Sequence, residues 1–161
     1  MLVFDKNPVK NRALKYFLVV TLAVGAAGSL FTEPNIAGWY AGLTHPAIAP
    51  PNWVFAPVWT TLYILMAYAA WRVWRTTGWR SLEMLAFAVQ LGLNLAWSAI
   101  FFGLHQISAA LGEIILLDLA ILYTMLLFWR RDGVAGAVML PYLAWSGFAT
   151  VLTHAFWKLN T

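Results

Sequence analysis

Residues Met84–Leu104 read MLAFAVQLGLNLAWSAIFFGL, twenty-one positions without one charged side chain. As a helix this run rises roughly 30 Å, the depth of a bilayer's hydrocarbon core. It shows no period-two alternation and is rich in Leu and Ala, which favours a spanning helix over a barrel strand. Four further runs of similar character surround it: Tyr16–Thr32, Trp53–Trp71, Ile107–Trp129 and Gly133–Trp157. The expected helices cover about 15–32, 53–74, 83–104, 107–129 and 133–157, with a connecting loop over 33–52.

Composition agrees with that reading. The chain of 161 residues is 62% hydrophobic and 10% charged, whereas soluble domains carry roughly 25% charged residues. One all-α integral membrane domain over 1–161, a five-transmembrane-helix bundle embedded in the lipid bilayer, is expected. The first run has a basic start, but Pro34 stands just past the place where a signal peptidase would cut. It is therefore read as a retained helix, with cleavage the alternative. The absence of cysteine removes disulfides and thiolate metal sites.

The charges segregate when the helices are threaded in turn. Lys6, Lys10, Arg12, Lys15, Arg72, Arg75, Arg80, Arg130 and Arg131 fall on one side, and Lys158 alone on the other. Positive residues stay cytoplasmic. The N-terminus is thus expected inside, and the C-terminus and the 33–52 loop on the opposite side. The same distribution accounts for the net charge of +4 without a nucleic-acid partner.

The 33–52 loop contains Trp39-Tyr40 and four prolines, Pro34, Pro46, Pro50 and Pro51. Loops of this length are functional or disordered, and the prolines and aromatic pair argue against disorder. Asn52 has the side chain of a helix N-cap.

Ten tryptophans are present. Trp53, Trp71, Trp74, Trp79, Trp129 and Trp157 lie near helix ends, where an interfacial belt explains them. Trp59, Trp97 and Trp145 lie inside helices, and hydrocarbon supplies no acceptor for an indole N–H. Phe55, Trp59 and Tyr63 share one face of the second helix by four-residue spacing. Gln90, Asn94 and Ser98 make a polar stripe on the third, beside Trp97 and Phe101. Tyr142, Trp145, Ala149 and Leu152 share a face of the fifth, where Pro141 cannot donate to the carbonyl of Ala137. Such stripes either join helices through amide hydrogen bonds or line a cavity suited to a flat, largely apolar ligand.

Ala88, Gly92 and Ala96 form a small-residue stripe on the third helix, an expected site for homodimerisation, and Gly25 and Ser29 repeat the spacing on the first. Glu113 and Asp118 are the intramembrane acids. Five positions apart, they stand about 140° around the helix and make no carboxylate pair. Glu113 is placed near the outer interface, and Asp118 deeper, protonated or bonded to an amide or hydroxyl. His45, His105 and His154 come from separate segments without metal-ligand spacing and are read as surface groups. No metal site is expected; axial haem ligation by His45 or His154 is the lesser alternative.

Trp39-Tyr40, Leu43, Pro46, Pro50-Pro51, Phe55 and Trp59 resemble the signature WY-x-x-L-x-K-P-x-W-x-P-P-x-x-x-F-x-x-x-W of the TspO/MBR family. Asn94-Leu95-Ala96-Trp97, Ile100-Phe101-Phe102-Gly103 with Gln106, Glu113, and Pro141-Tyr142-Leu143-Ala144-Trp145 with Ala149-Thr150 continue the likeness in order. The resemblance implies a five-helix bundle whose pocket opens toward the first loop, which acts as a lid. It implies a membrane protein that binds porphyrin-like small molecules or other flat apolar ligands for transport, sequestration or sensing. Protoporphyrin IX or haem is the candidate ligand, and no cofactor is required. Benzodiazepine-like ligands also belong to the family's range. By the same likeness Trp59 and Trp145 donate indole N–H bonds, and Tyr40, Pro46 and Pro51 close from the lid. Phe55, Tyr63, Asn94, Trp97, Ser98, Ala149 and Leu152 line the walls.

The alternative function is light-dependent degradation of protoporphyrin IX, with Trp59 and Trp145 as its catalytic residues. The chain departs from the pattern at His45, in place of Lys, and at Ile48, in place of Trp. It departs again at His154, where the sterol-recognition stretch has Tyr, so sterol binding is not expected. The prolines suit a pre-shaped lid, because proline costs little entropy to order.

Overall fold

The computed structural model describes residues 8–161; Lys6 and the side chain of Lys10 lie outside what it describes. Six α-helices follow in order: α1 (Pro8–Ile36), α2 (Phe55–Thr77), α3 (Leu82–Ser98), α4 (Ile107–Arg131), α5 (Gly133–Val138) and α6 (Leu140–Asn160). With α5 and α6 counted as one crossing, five segments are long and apolar enough to span a membrane. No strand occurs among the described residues.

The element boundaries depart from the expected ones for local reasons. Glu33–Ile36, expected in the loop, continue α1. Pro34 forfeits only its own N–H, and the Asn35 side chain donates to the Phe31 carbonyl at 2.8 Å, satisfying the helix end. Asn52 is no side-chain cap. It opens a 3-10 turn, Asn52–Val54, whose first carbonyl accepts from the Phe55 amide. The third crossing is not α-helical throughout, because Ala99–Gly103 form a π-helical turn closed by the Leu104 amide on the Ala99 carbonyl at 2.9 Å. The wide turn re-aims Phe101 and Phe102, as such bulges do near functional sites. The fifth crossing breaks at Met139, two residues before Pro141, which has no N–H for the Ala137 carbonyl.

The helices close into a ring. α1 packs on α2 and α3, α3 on α4, α4 on α5 and α6, and α5 returns to α2. Gly25 permits the α1–α2 approach: a Cβ there would lie 2.5 Å from Tyr63 Cε2. Gly136 does the same for α5, where a Cβ would meet the Trp129 backbone at 2.8 Å. Met66, Ala67, Ala70 and Val73 of α2 meet Ile114, Leu117, Ile121 and Phe128 of α4 in the core. Val19, Leu30, Leu85, Leu116 and Leu119 are exposed, as a bilayer-facing surface requires. Ala88 and Gly92 also face outward.

The two ends differ. At the arginine-rich end Arg72 pairs with Asp132 at 2.7 Å, and Arg131 with Glu83 at 2.6 Å. Trp53, Trp79, Trp129 and Trp157 are exposed and fit a belt, whereas Trp71 is buried with the Arg75 guanidinium 4.8 Å from its ring. At the other end the loop is pinned across the bundle. Trp39 stacks on His105 at 4.4 Å, and His105 Nε2 bonds to Asn35 Oδ1 at 2.9 Å. The Thr44 amide donates to Asn160 Oδ1 at 2.8 Å, and Asn160 Nδ2 returns a bond to the Thr44 carbonyl at 3.1 Å.

Asp132 joins three elements, since its carboxylate also accepts from the Val134 and Ala135 amides at the start of α5. Burial alone would raise its pKa. Arg72 and those amides outweigh that and hold the carboxyl below the usual range. A depressed folded-state pKa contributes stability above the unfolded value and loses it as pH falls through the folded value. Asp132→Ala is expected to cost about 2 kcal/mol at neutral pH. In thermal unfolding scans the gap from wild type should begin to narrow below roughly pH 4 and close only as pH falls through the lower folded-state value.

Candidate functional site

A cavity of about 430 Å³ lies inside the bundle beneath the 33–52 loop. That volume falls within the roughly 300–1,000 Å³ of small-molecule sites. Each wall comes from a different element. α2 contributes Phe55, Trp59 and Tyr63; α3 contributes Asn94, Trp97 and Ser98; α6 contributes Trp145, Ala149 and Leu152. The loop contributes Tyr40, whose ring packs on Phe102 and Phe156 at 5.6 and 5.4 Å. Ten of the twelve expected site residues therefore meet around one space.

Pro46 and Pro51 do not line it. Pro46 is buried within the loop, where its carbonyl accepts from the Ala49 amide at 2.9 Å, and Pro51 is exposed ahead of α2. Both shape the loop, and its inward surface comes from Tyr40 and, at the loop's end, Asn52. The His45 Nε2 is held by the Tyr40 carbonyl at 3.0 Å. His45, His105 and His154 are all exposed residues, and no cluster able to hold a metal occurs among the described residues.

The floor is a hydrogen-bond chain that crosses three helices. Tyr63 Oη donates to Asn94 Oδ1 at 2.6 Å, and Asn94 Nδ2 donates to Tyr142 Oη at 3.1 Å. Tyr142 Oη donates to Gln90 Oε1 at 2.9 Å, and Gln90 Nε2 points to Met66 Sδ at 4.0 Å. Gln90 is fully buried below the cavity and joins helices, while Asn94 does both jobs. The amide groups are thus occupied. Three indoles, Trp74, Trp97 and Trp145, are buried with Nε1 lacking a hydrogen-bond partner, and of these the Trp97 and Trp145 rings line the cavity.

Asp118 accepts from Ser146 Oγ at 2.5 Å and from Thr150 Oγ1 at 2.6 Å, which ties α4 to α6 through hydroxyls. Glu113 is buried, and neither carboxyl oxygen has a partner. The α1 wall, with Leu22, Gly25, Gly28 and Ser29, was not foreseen as lining. Its Gly25/Ser29 spacing signals close packing, and a cavity beside glycines follows only once Tyr63 is placed.

The TspO/MBR family model matches residues 17–158. The chain is similar to the tryptophan-rich protein TspO of Archaeoglobus fulgidus, 41% identical over 144 residues, or 89% of this chain and 94% of that one. It is similar to the tryptophan-rich sensory protein of Cereibacter sphaeroides, 38% identical over 145 residues, or 89% and 90% of the two chains. The translocator protein of Homo sapiens is 37% identical over 137 residues, or 83% and 81%.

The floor makes unequal demands on its two tyrosines. Tyr142→Phe strands Gln90 Oε1 and Asn94 Nδ2 together, whereas Tyr63→Phe strands Asn94 Oδ1 alone. Unfolding in mixed micelles should show losses of about 2 and about 1 kcal/mol respectively.

Proposed function

The chain belongs to the TspO/MBR family, and from that premise we propose that this multi-pass membrane protein binds a flat, largely apolar ligand of the porphyrin kind in its cavity. Protoporphyrin IX or haem is the ligand class to test first, taken up beneath the loop for passage, sequestration or sensing. The observation that carries the reading is the pair of buried, partnerless indole N–H groups, Trp97 Nε1 and Trp145 Nε1, on rings lining an aromatic cavity. In an apolar environment an unmade hydrogen bond is costly, so a ligand acceptor placed there gains more than it would in water. Trp59 adds a flat wall 5.8 Å from Tyr63 and 6.2 Å from Tyr142.

The loop serves as the lid in this reading, held by the Trp39–His105 stack and the Thr44–Asn160 pair. The arginine-rich end faces the cytoplasm and the lid faces away from it. A second copy of the chain meets the Ala88, Gly92 and Ala96 stripe, of which Ala88 and Gly92 face outward.

Tryptophan quenching on titration with protoporphyrin IX tests the proposal. The double variant Trp59→Phe/Trp145→Phe should bind about tenfold more weakly, as expected for a lost indole hydrogen bond and reduced ring contact. Affinity equal to wild type would defeat it.

A further inference from the structure

A second hollow lies on the outside of the bundle, in the seam between α2 and α6. It encloses about 550 Å³ between Pro57, Thr61 and Leu65 of α2 and Pro141, Ala144 and Trp145 of α6. The break at Met139 makes this seam: α5 packs closely on α2, whereas α6 starts in a new direction and meets α2 far less. Pro57, Thr61, Pro141 and Ala144 are exposed, so the groove faces the bilayer. Thr61 Oγ1 already donates to the Pro57 carbonyl at 2.8 Å, which leaves the groove an apolar surface. Trp145 lines both this groove and the inner cavity, and no other described residue does. Its indole is the partition between them. The ring rests on Phe55 at 6.0 Å and Phe148 at 5.4 Å, and its Nε1 has no hydrogen-bond partner. Turning it to another rotamer therefore breaks no hydrogen bond. Lifting the lid, by contrast, breaks the Trp39–His105 stack and both Thr44–Asn160 bonds.

We infer that the α2–α6 groove is an entry site for ligand dissolved in the bilayer, and that Trp145 is the door between it and the cavity. The inference rests on the cavity being the site of a flat, largely apolar ligand, as proposed above, and adds the route by which that ligand arrives. Such a molecule partitions into hydrocarbon before it meets the protein, so it is more concentrated beside the bundle than above the lid. The groove starts at Pro57, the third residue of α2, near the lid-side end of that crossing. A ring can enter there while its carboxylates stay hydrated among the headgroups. The small side chains of Thr61 and Ala144 keep the passage clear. The loop is then a roof that retains the guest, and its bonds stay made during entry.

Plugging the groove tests this. Ala144→Phe fills it from α6 and Thr61→Phe from α2; both positions face the bilayer and neither lines the cavity, so the fold and the bound site are kept. Asn160→Ala removes both bonds that pin the lid at Thr44. Association and release of protoporphyrin IX are followed by stopped-flow tryptophan emission, with the whole chain in phosphatidylcholine nanodiscs. Each plug should slow both rates at least about fivefold and hold the equilibrium Kd within about twofold, because a passage sets the barrier and not the bound state. Asn160→Ala should associate within about twofold of wild type. Trp145→Ala should associate faster as well as release faster, whereas a lost contact alone would speed release only. Plugged variants that associate as fast as wild type overturn the inference, whether or not their equilibrium binding weakens. An Asn160→Ala variant that associates at least about fivefold faster overturns it too, as does a Trp145→Ala variant that speeds release alone. Equilibrium affinity lost in Trp59→Phe/Trp145→Phe upholds the cavity as the site whatever the plugs do to the rates. Failure of wild type to bind protoporphyrin IX at all overturns both the cavity reading and the route into it.

Discussion

Hydrocarbon offers no hydrogen bonds, so every polar group within it must find a partner inside the protein. The chain Tyr63–Asn94–Tyr142–Gln90 answers that demand for α2, α3 and α6 together. Its geometry sets the rotation of each helix, because a turn of any one would strand two amide or phenol groups in apolar surroundings. Thr21 Oγ1 extends the same logic to α1 by donating to the Tyr63 carbonyl at 3.0 Å. With the rotations set, the rings one turn away from this floor (Trp59, Trp97 and Trp145) come to face a common space.

Irregular backbone then sculpts that space. The break at Met139 starts α6 independently of α5, so the wall of Trp145, Ala149 and Leu152 does not inherit the direction of the preceding helix. The π-helical turn at 99–103 puts Phe101 5.0 Å from Trp97, stacked on it, and sends Phe102 toward Tyr40. Gly25 lets Tyr63 lie against α1, and Gly28 leaves room beside Ser98. Small residues and prolines thus make room where a regular bundle would fill its centre with side chains.

Satisfaction and its absence divide the interior by role. The polar groups of the floor are paired, and Asp118 is paired through two hydroxyls. The indoles of Trp97 and Trp145 are not. A bundle that spends hydrogen bonds on joining its helices while keeping two donors on a cavity wall is suited to completing them with a guest. Glu113 and the Trp74 indole are also buried without a hydrogen-bond partner, and neither lines the cavity.

Much of this was legible in the chain. Hydropathy dictated five crossings, the charge pattern separated their ends, and four-residue spacing placed Phe55, Trp59 and Tyr63 on one face, because these properties depend only on near neighbours. Pro141 announced a weak point in the last crossing for the same local reason. What the spacing left open was resolved by contacts between distant segments. Gln90 went beneath the cavity and Asn94 beside it, Trp71 into the core instead of the belt, and Pro46 and Pro51 into shaping the loop. The π turn and the glycine-lined wall of α1 had no distinct signal. A side chain's partner in a membrane bundle belongs to another helix, and only the mutual rotation of packed helices decides which groups are paired and which are left facing the hollow.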